Sequence, residues 1–173
     1  MKIKSLLEMI NSSKYDEFAI QYRKLLGYDK DTAFYQPHPD TNSLIEYING
    51  KLKFPLEESY IEFMKESNGC KLVDTYIYSF KHEEQQKDTL FVNFDKATRE
   101  KFAVSESAFI AGAYQDNAII YEKASVIFND ESLPGCVWAI YSPKHKRCIE
   151  PHEIFLEMLE FLIEDRIDFF EED

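Results

Sequence analysis

A change in the spacing of apolar residues at Asn68-Gly69 constrains the fold of this chain more than any other feature. Before this pair, apolar side chains recur every three or four residues, which is the period of an α-helix. After it, aromatic and β-branched residues alternate or form short runs, which is typical of β-strands. Because glycine tolerates a positive φ, we expect Gly69 to end the last early helix in that conformation.

Helices are predicted for the first third of the chain. Residues 1–36 are expected to form an extra helical segment, and Thr41 is expected to cap a second helix. Pro55 is expected to open a third helix over residues 55–68, since proline is pre-organised for the first helical position. Glu57 and Glu58 would then meet the positive end of the helix dipole.

Strands are predicted for most of the remaining chain. The stretches with strand composition are 72–80, 90–94, 109–114, 118–122, 126–128 and 137–141. Gln115-Asp116-Asn117 lies between two of them and indicates a hairpin. Pro151 is expected to open a closing helix, whose inward apolar residues would be Ile154, Phe155, Met158, Leu159 and Leu162.

This order of elements predicts an α+β fold. We expect a mostly antiparallel sheet of about five or six strands, with N-terminal helices and a closing C-terminal helix. The 173 residues are typical of a single domain, with a core over 37–165 and an acidic tail over 166–173.

Composition indicates a cytoplasmic protein without a membrane segment. No stretch approaches the ~18 apolar residues that a spanning helix needs. The first apolar run is interrupted at Glu8, so a signal peptide is not expected. Three cysteines are an odd, sparse set, which is typical of a reducing compartment.

The charge of the chain is concentrated at its C-terminal end. The net charge is −12, and residues 150–173 contain ten acidic residues and a single arginine. Such acidity disfavours direct binding of nucleic acid and favours a basic protein partner. The candidate partner-binding residues are Glu153, Glu157, Glu160, Glu164 and Asp168 on the closing helix, with Asp116 in the hairpin turn. The alternative is a solvated helix face with a frayed tail.

The sequence contains no pattern that identifies an enzyme. The five glycines are too far apart for a phosphate-binding loop, and no cofactor is expected. Cys136, His145, Cys148 and His152 supply four candidate zinc ligands, but they lack the spacing of a zinc knuckle, so no metal is expected. Cys148 beside His145 leaves a thiol nucleophile as a remote alternative, although a basic surface turn explains the same residues.

Residues 42–69 resemble the opening of the SUKH superfamily, which includes fungal cell-wall assembly regulators and bacterial toxin-immunity proteins. The motif is a short helix, a proline with an acidic turn, an aromatic-rich helix and a final Asn-Gly. The matching structural residues are Pro55, Tyr60, Phe63, Asn68 and Gly69. The strand pair around 108–122 and the closing helix are similar too, so the resemblance covers about residues 41–165. The family often has Asp-Gly in the central hairpin, where this chain has Asp116-Asn117.

The resemblance implies a non-catalytic module that holds a partner protein. In bacterial members the partner is typically a secreted or contact-delivered toxin, often a nuclease, which the immunity protein neutralises. The expected function is therefore that of an immunity protein for a basic toxin domain. An intracellular scaffold or regulator with the same fold is the alternative, and a small thiol or zinc enzyme using Cys148 is a remote one.

Overall fold

A computed structural model describes residues 33–34, 38–72, 75–80, 90–102 and 105–164. The expected helical segment 1–36, apart from residues 33–34, lies outside this part of the chain. The acidic tail 166–173, with Asp168, also lies outside it.

The described strands form one antiparallel sheet in which each strand pairs with the next along the chain. They are β1 (Ala33–Phe34), β2 (Cys70–Leu72), β3 (Thr75–Ile77), β4 (Phe109–Tyr114), β5 (Asn117–Lys123), β6 (Cys136–Ser142) and β7 (Arg147–His152). The predicted α+β class and antiparallel pairing are confirmed. The short β1 and the edge strand β7 bring the sheet to seven strands.

Helices precede, interrupt and close the sheet. They are α1 (Thr41–Lys51), α2 (Glu58–Glu66), a 3₁₀-helix (Leu90–Phe94), α3 (Lys96–Phe102), α4 (Ala124–Ile127) and α5 (Phe155–Glu164). The larger apolar cluster lies between one sheet face and the helices α1, α2 and α5. At its centre the ring of Tyr60 lies 5.1 Å from that of Trp138 and 5.0 Å from that of Phe155, measured between centroids.

Two predicted strands are helical instead. Leu90–Phe94 forms the 3₁₀-helix because buried Asn93 binds inside it and across to β4: its Nδ2 donates to Leu90 O at 3.0 Å, and its Oδ1 accepts from Ile110 N at 2.7 Å. Residues 126–128 belong to the single turn of α4 and the residue after it, where Phe128 N donates to Ala124 O at 2.9 Å.

Three predicted helix starts are also wrong. Pro55 is exposed and lies before α2, which begins at Glu58 with Glu57 as its N-cap. Thr41 is the first residue of α1 rather than its cap, and its hydroxyl donates to His38 O at 2.7 Å.

Pro151 lies in β7, and α5 begins at Phe155. Proline has no backbone N–H, and an edge strand tolerates proline because one side of the strand has no neighbour to accept such a hydrogen bond.

The predicted hairpin is confirmed with a different turn. Tyr114 pairs with Asn117, so Gln115 and Asp116 form the connection between β4 and β5. The positive φ of this turn, 52°, is at Gln115, whereas Asn117 is already the first residue of β5.

Candidate functional site

The carboxylate of Glu57 joins the N-termini of α2 and α5. It accepts hydrogen bonds from Ser59 N at 2.9 Å and Tyr60 N at 3.2 Å in its own helix. It also accepts from Phe155 N at 3.1 Å and from the Trp138 indole at 3.4 Å. Both helix dipoles therefore point their positive ends at one carboxylate, which fixes the start of the acidic helix α5.

The residues that carry the family resemblance are mostly buried. Tyr60 and Phe63 are fully buried in the larger apolar cluster. Asn68 joins the segment after α2 to the segment after β3, since its Oδ1 accepts a hydrogen bond from Phe80 N at 2.6 Å. Gly69 has φ +78°, which confirms the predicted backbone conformation, although α2 itself ends at Glu66. These four residues build the fold, and Pro55 is the exposed member of the motif.

The predicted acidic stripe is only partly a helix face. Glu153 is exposed in the bend before α5, and Glu157 is exposed within α5. Glu160 is half-buried, and Glu164 is the last residue of α5. Asp116 lies in the turn before β5. Glu153 follows His152, which pairs with Trp138 opposite Tyr121, ~17 Å further along β5, so the structure does not bring Asp116 together with this group.

A surface cleft of 490 Å³ lies beside Glu153. Its lining residues are Ala124, Phe128, Leu133, Pro134, Gly135, Cys136, Val137 and Glu153. We call it the Phe128–Leu133 cleft. Phe128 is 48% exposed and Leu133 is 37% exposed, so two large apolar side chains face solvent on one short loop. Sequence reasoning missed this cleft because it assigned residues 126–128 to a strand.

Around the Phe128–Leu133 cleft, acidic residues outnumber basic ones: Glu153 lines it, and the exposed Lys123 pairs with the lining residue Cys136. Residues 124–135 contain Asp130 and Glu131 and no lysine or arginine. Residues 150–164 contain five glutamates and no lysine or arginine. The cleft lies where these two segments meet, and an exposed apolar patch with a polar rim is typical of a protein-binding site.

A second cleft, around Phe94, differs in its charge. It measures 520 Å³ and is lined by Phe94, Lys96, Arg99, Glu100, Ser105 and Glu106. The guanidinium of Arg99 donates to Glu106 O at 2.6 Å and Ala108 O at 2.7 Å, and also to Asn93. Arg99 thus holds the backbone before β4, and the mixed charges give this cleft no single preferred partner.

A buried carboxylate that the sequence analysis did not single out lies near Arg99. Glu122 in β5 is fully buried and accepts hydrogen bonds from the hydroxyls of Ser105 and Ser107 and from Lys123 N at 2.7 Å. Burial of a charge is tolerated when hydrogen bonds satisfy it. Glu122 therefore ties the segment before β4 to the end of β5.

The structure does not bring the four candidate zinc ligands together. Cys148 pairs with Tyr141, whereas Cys136 begins β6, ~17 Å away along that strand. Among the residues that the structure describes, no group of three or more histidine, cysteine, aspartate or glutamate side chains could hold a metal ion. The absence of bound zinc stays a prediction.

The thiol of Cys148 is expected to react slowly at neutral pH. Burial, together with the negative charge of Glu122, raises its pKa to about 11. Since only the thiolate attacks iodoacetamide, the alkylation rate should increase about tenfold per pH unit until it levels off near that pKa. Site-resolved mass spectrometry would measure this rate against glutathione as the control. A rate profile that levels off below pH 8 would contradict the prediction and favour the thiol enzyme.

No helix within the described residues is long and apolar enough to cross a membrane. Comparison of the chain with family models, curated proteins and solved structures gave no match. The resemblance to the SUKH superfamily therefore rests on the sequence motif alone.

Proposed function

We propose that this protein is a non-catalytic binding module, specifically an immunity protein that binds and neutralises a basic bacterial toxin domain. The observation that carries this proposal is the meeting of two predominantly acidic segments, 123–135 and 150–164, at an apolar surface cleft. The same face would serve a scaffold or regulator of this fold, which is the alternative.

Charge gives a physical reason for toxin neutralisation. A nuclease binds phosphates through clustered lysine and arginine, so its substrate-binding surface is basic. An acidic face attracts such a surface and speeds the encounter of the two proteins. Once bound there, the immunity protein would occupy the surface that the toxin needs for nucleic acid, and it would need no catalytic group of its own.

The proposal predicts that a gene beside this one encodes a basic toxin domain. The experiment produces that domain and compares two triple variants in binding to it. Glu153→Gln with Glu157→Gln and Glu160→Gln should lower the association rate about tenfold at low salt and flatten its salt dependence. The matched control removes three exposed acids elsewhere, Glu46→Gln, Glu100→Gln and Asp116→Asn, and should change the rate less than about twofold.

Stopped-flow fluorescence over a salt series would measure both rates. Equal effects of the two triple variants would show that the acidic segment around α5 is only solvated surface. Failure of the toxin domain to bind the unmodified protein at any salt concentration would overturn the proposed function and favour the scaffold alternative.

A further inference from the structure

We propose that the Phe128–Leu133 cleft receives one apolar side chain of the partner, carried on a segment with lysine or arginine beside it. This inference rests on the proposed function and specifies the chemistry of the partner's contact segment. The apolar anchor would supply most of the binding free energy, and the acidic residues would steer and orient the partner.

Exposed apolar side chains line a space large enough to receive a side chain of a partner. Phe128 and Leu133 would lose much of their contact with water if a partner covered them. Ile154, next to Glu153, is also exposed, at 38%. The 490 Å³ of the cleft lies within the range of about 300–1,000 Å³ typical of ligand pockets. Binding energy at protein interfaces concentrates at such apolar anchor points.

Hydrogen bonds hold the loop between Ala124 and Gly135 in this shape. Ala124 N donates to Gly135 O at 3.0 Å, which closes the loop at its base. Within it, Asp130 N donates to Ser125 O at 3.0 Å, and the Asp130 carboxylate accepts from the Ser132 hydroxyl at 2.6 Å. A loop that is already ordered loses little conformational entropy on binding, so more of the contact energy appears as affinity.

The charges at the cleft are mostly negative, with the exposed Lys123 beside Cys136 as the exception. Glu153 is itself a lining residue, and Asp130 and Glu131 lie between Phe128 and Leu133 in the chain. These carboxylates would pair with lysine or arginine flanking the anchor. The same charges disfavour nucleic acid, whose phosphates they repel, and a second copy of this chain, whose net charge is −12.

The experiment uses two synthetic pentapeptides of equal charge, Lys-Arg-Phe-Lys-Arg and Lys-Arg-Ser-Lys-Arg. Each is titrated into the ¹⁵N-labelled full chain, and the amide resonances are followed by NMR. We expect the phenylalanine peptide to bind about tenfold more tightly, because its ring is partly removed from water. The amides of Phe128, Leu133 and Gly135 should shift with it.

A matched pair of variants tests the location. Leu133→Ser should reduce the preference for the phenylalanine peptide to less than about threefold. Tyr47→Ser removes a large side chain that is 53% exposed on α1, outside the cleft, and should leave the tenfold preference intact. Both variants change exposed side chains, and their melting temperatures verify that they fold.

Equal affinity of the two peptides, or amide shifts away from residues 124–137, would overturn the apolar anchor. The proposed function would survive that result if the toxin domain still bound with the salt dependence described above. Conversely, a tenfold preference that Leu133→Ser abolishes would support the anchor even if the toxin domain failed to bind.

Discussion

Replacement of Gly69 with alanine is expected to destabilise the protein by about 3 kcal/mol, which corresponds to a melting temperature lower by roughly 6–12 °C. Gly69 has φ +78°, a conformation that costs a residue with a Cβ atom about 1–2 kcal/mol. A Cβ atom there would also collide with the backbone oxygen of Ile77 and would lie 3.0 Å from that of Tyr78. Backbone atoms of a paired strand cannot move aside without breaking the sheet, so the two effects add.

Two other glycines separate these effects. Gly135 has the same φ of +78° but open space around a Cβ atom, so Gly135→Ala should cost only about 1–2 kcal/mol. Gly50 is exposed near the end of α1 with no atom close to a Cβ, so Gly50→Ala should stabilise by up to about 1 kcal/mol. Chemical denaturation would measure all three. An unchanged stability of Gly69→Ala would show that the close approach to β3 does not exist.

Replacement of Glu57 with alanine is expected to lower the free energy of unfolding by about 3 kcal/mol, as much as Gly69→Ala does. The substitution removes the N-cap of α2 and, at the same time, the acceptor for Phe155 N at the start of α5. Loss of one N-cap costs about 1 kcal/mol, and two helices are affected here. The Trp138 indole N–H would also lose its acceptor in a largely apolar surrounding.

Glu58→Ala is the matched control, because Glu58 is the next acidic residue but is exposed in the first turn of α2. It should lose only about 0.3–1 kcal/mol of dipole interaction. Glu57→Gln keeps one acceptor oxygen and should fall between the two. Urea unfolding monitored by Trp138 fluorescence would rank the three variants. Equal stability of Glu57→Ala and Glu58→Ala would contradict the bridging role of Glu57.

Several features of the fold could be predicted because they depend on neighbours in the chain. The change of period at Gly69 separates α1 and α2 from β2, and the short apolar runs of 109–114 and 118–121 form the central hairpin. The inward residues of α5 are also as predicted, except for Ile154 before the helix. In each case the pattern repeats within one or two turns, so local physics is sufficient to determine it.

The candidate site shows what local patterns could not reveal. The acidity of residues 150–164 is a property of the sequence, and so is the partner charge it favours. The Phe128–Leu133 cleft exists only because the loop before β6 and the bend before α5 meet at one end of the sheet. Two segments that are separated in the chain contribute to it, and neither indicates the other.

By itself the sequence determined the α+β class, the position of the central hairpin and the acidic character of the C-terminal third. Only the tertiary structure decided where α5 begins, since its first N–H is capped by Glu57, 98 residues away. It likewise decided that Leu90–Phe94 is helical, through the bonds of Asn93 to Ile110, 17 residues further along. The reason is physical: periodicity arises between neighbours in the chain, whereas a polar side chain can override it when folding brings a distant backbone group within hydrogen-bond distance.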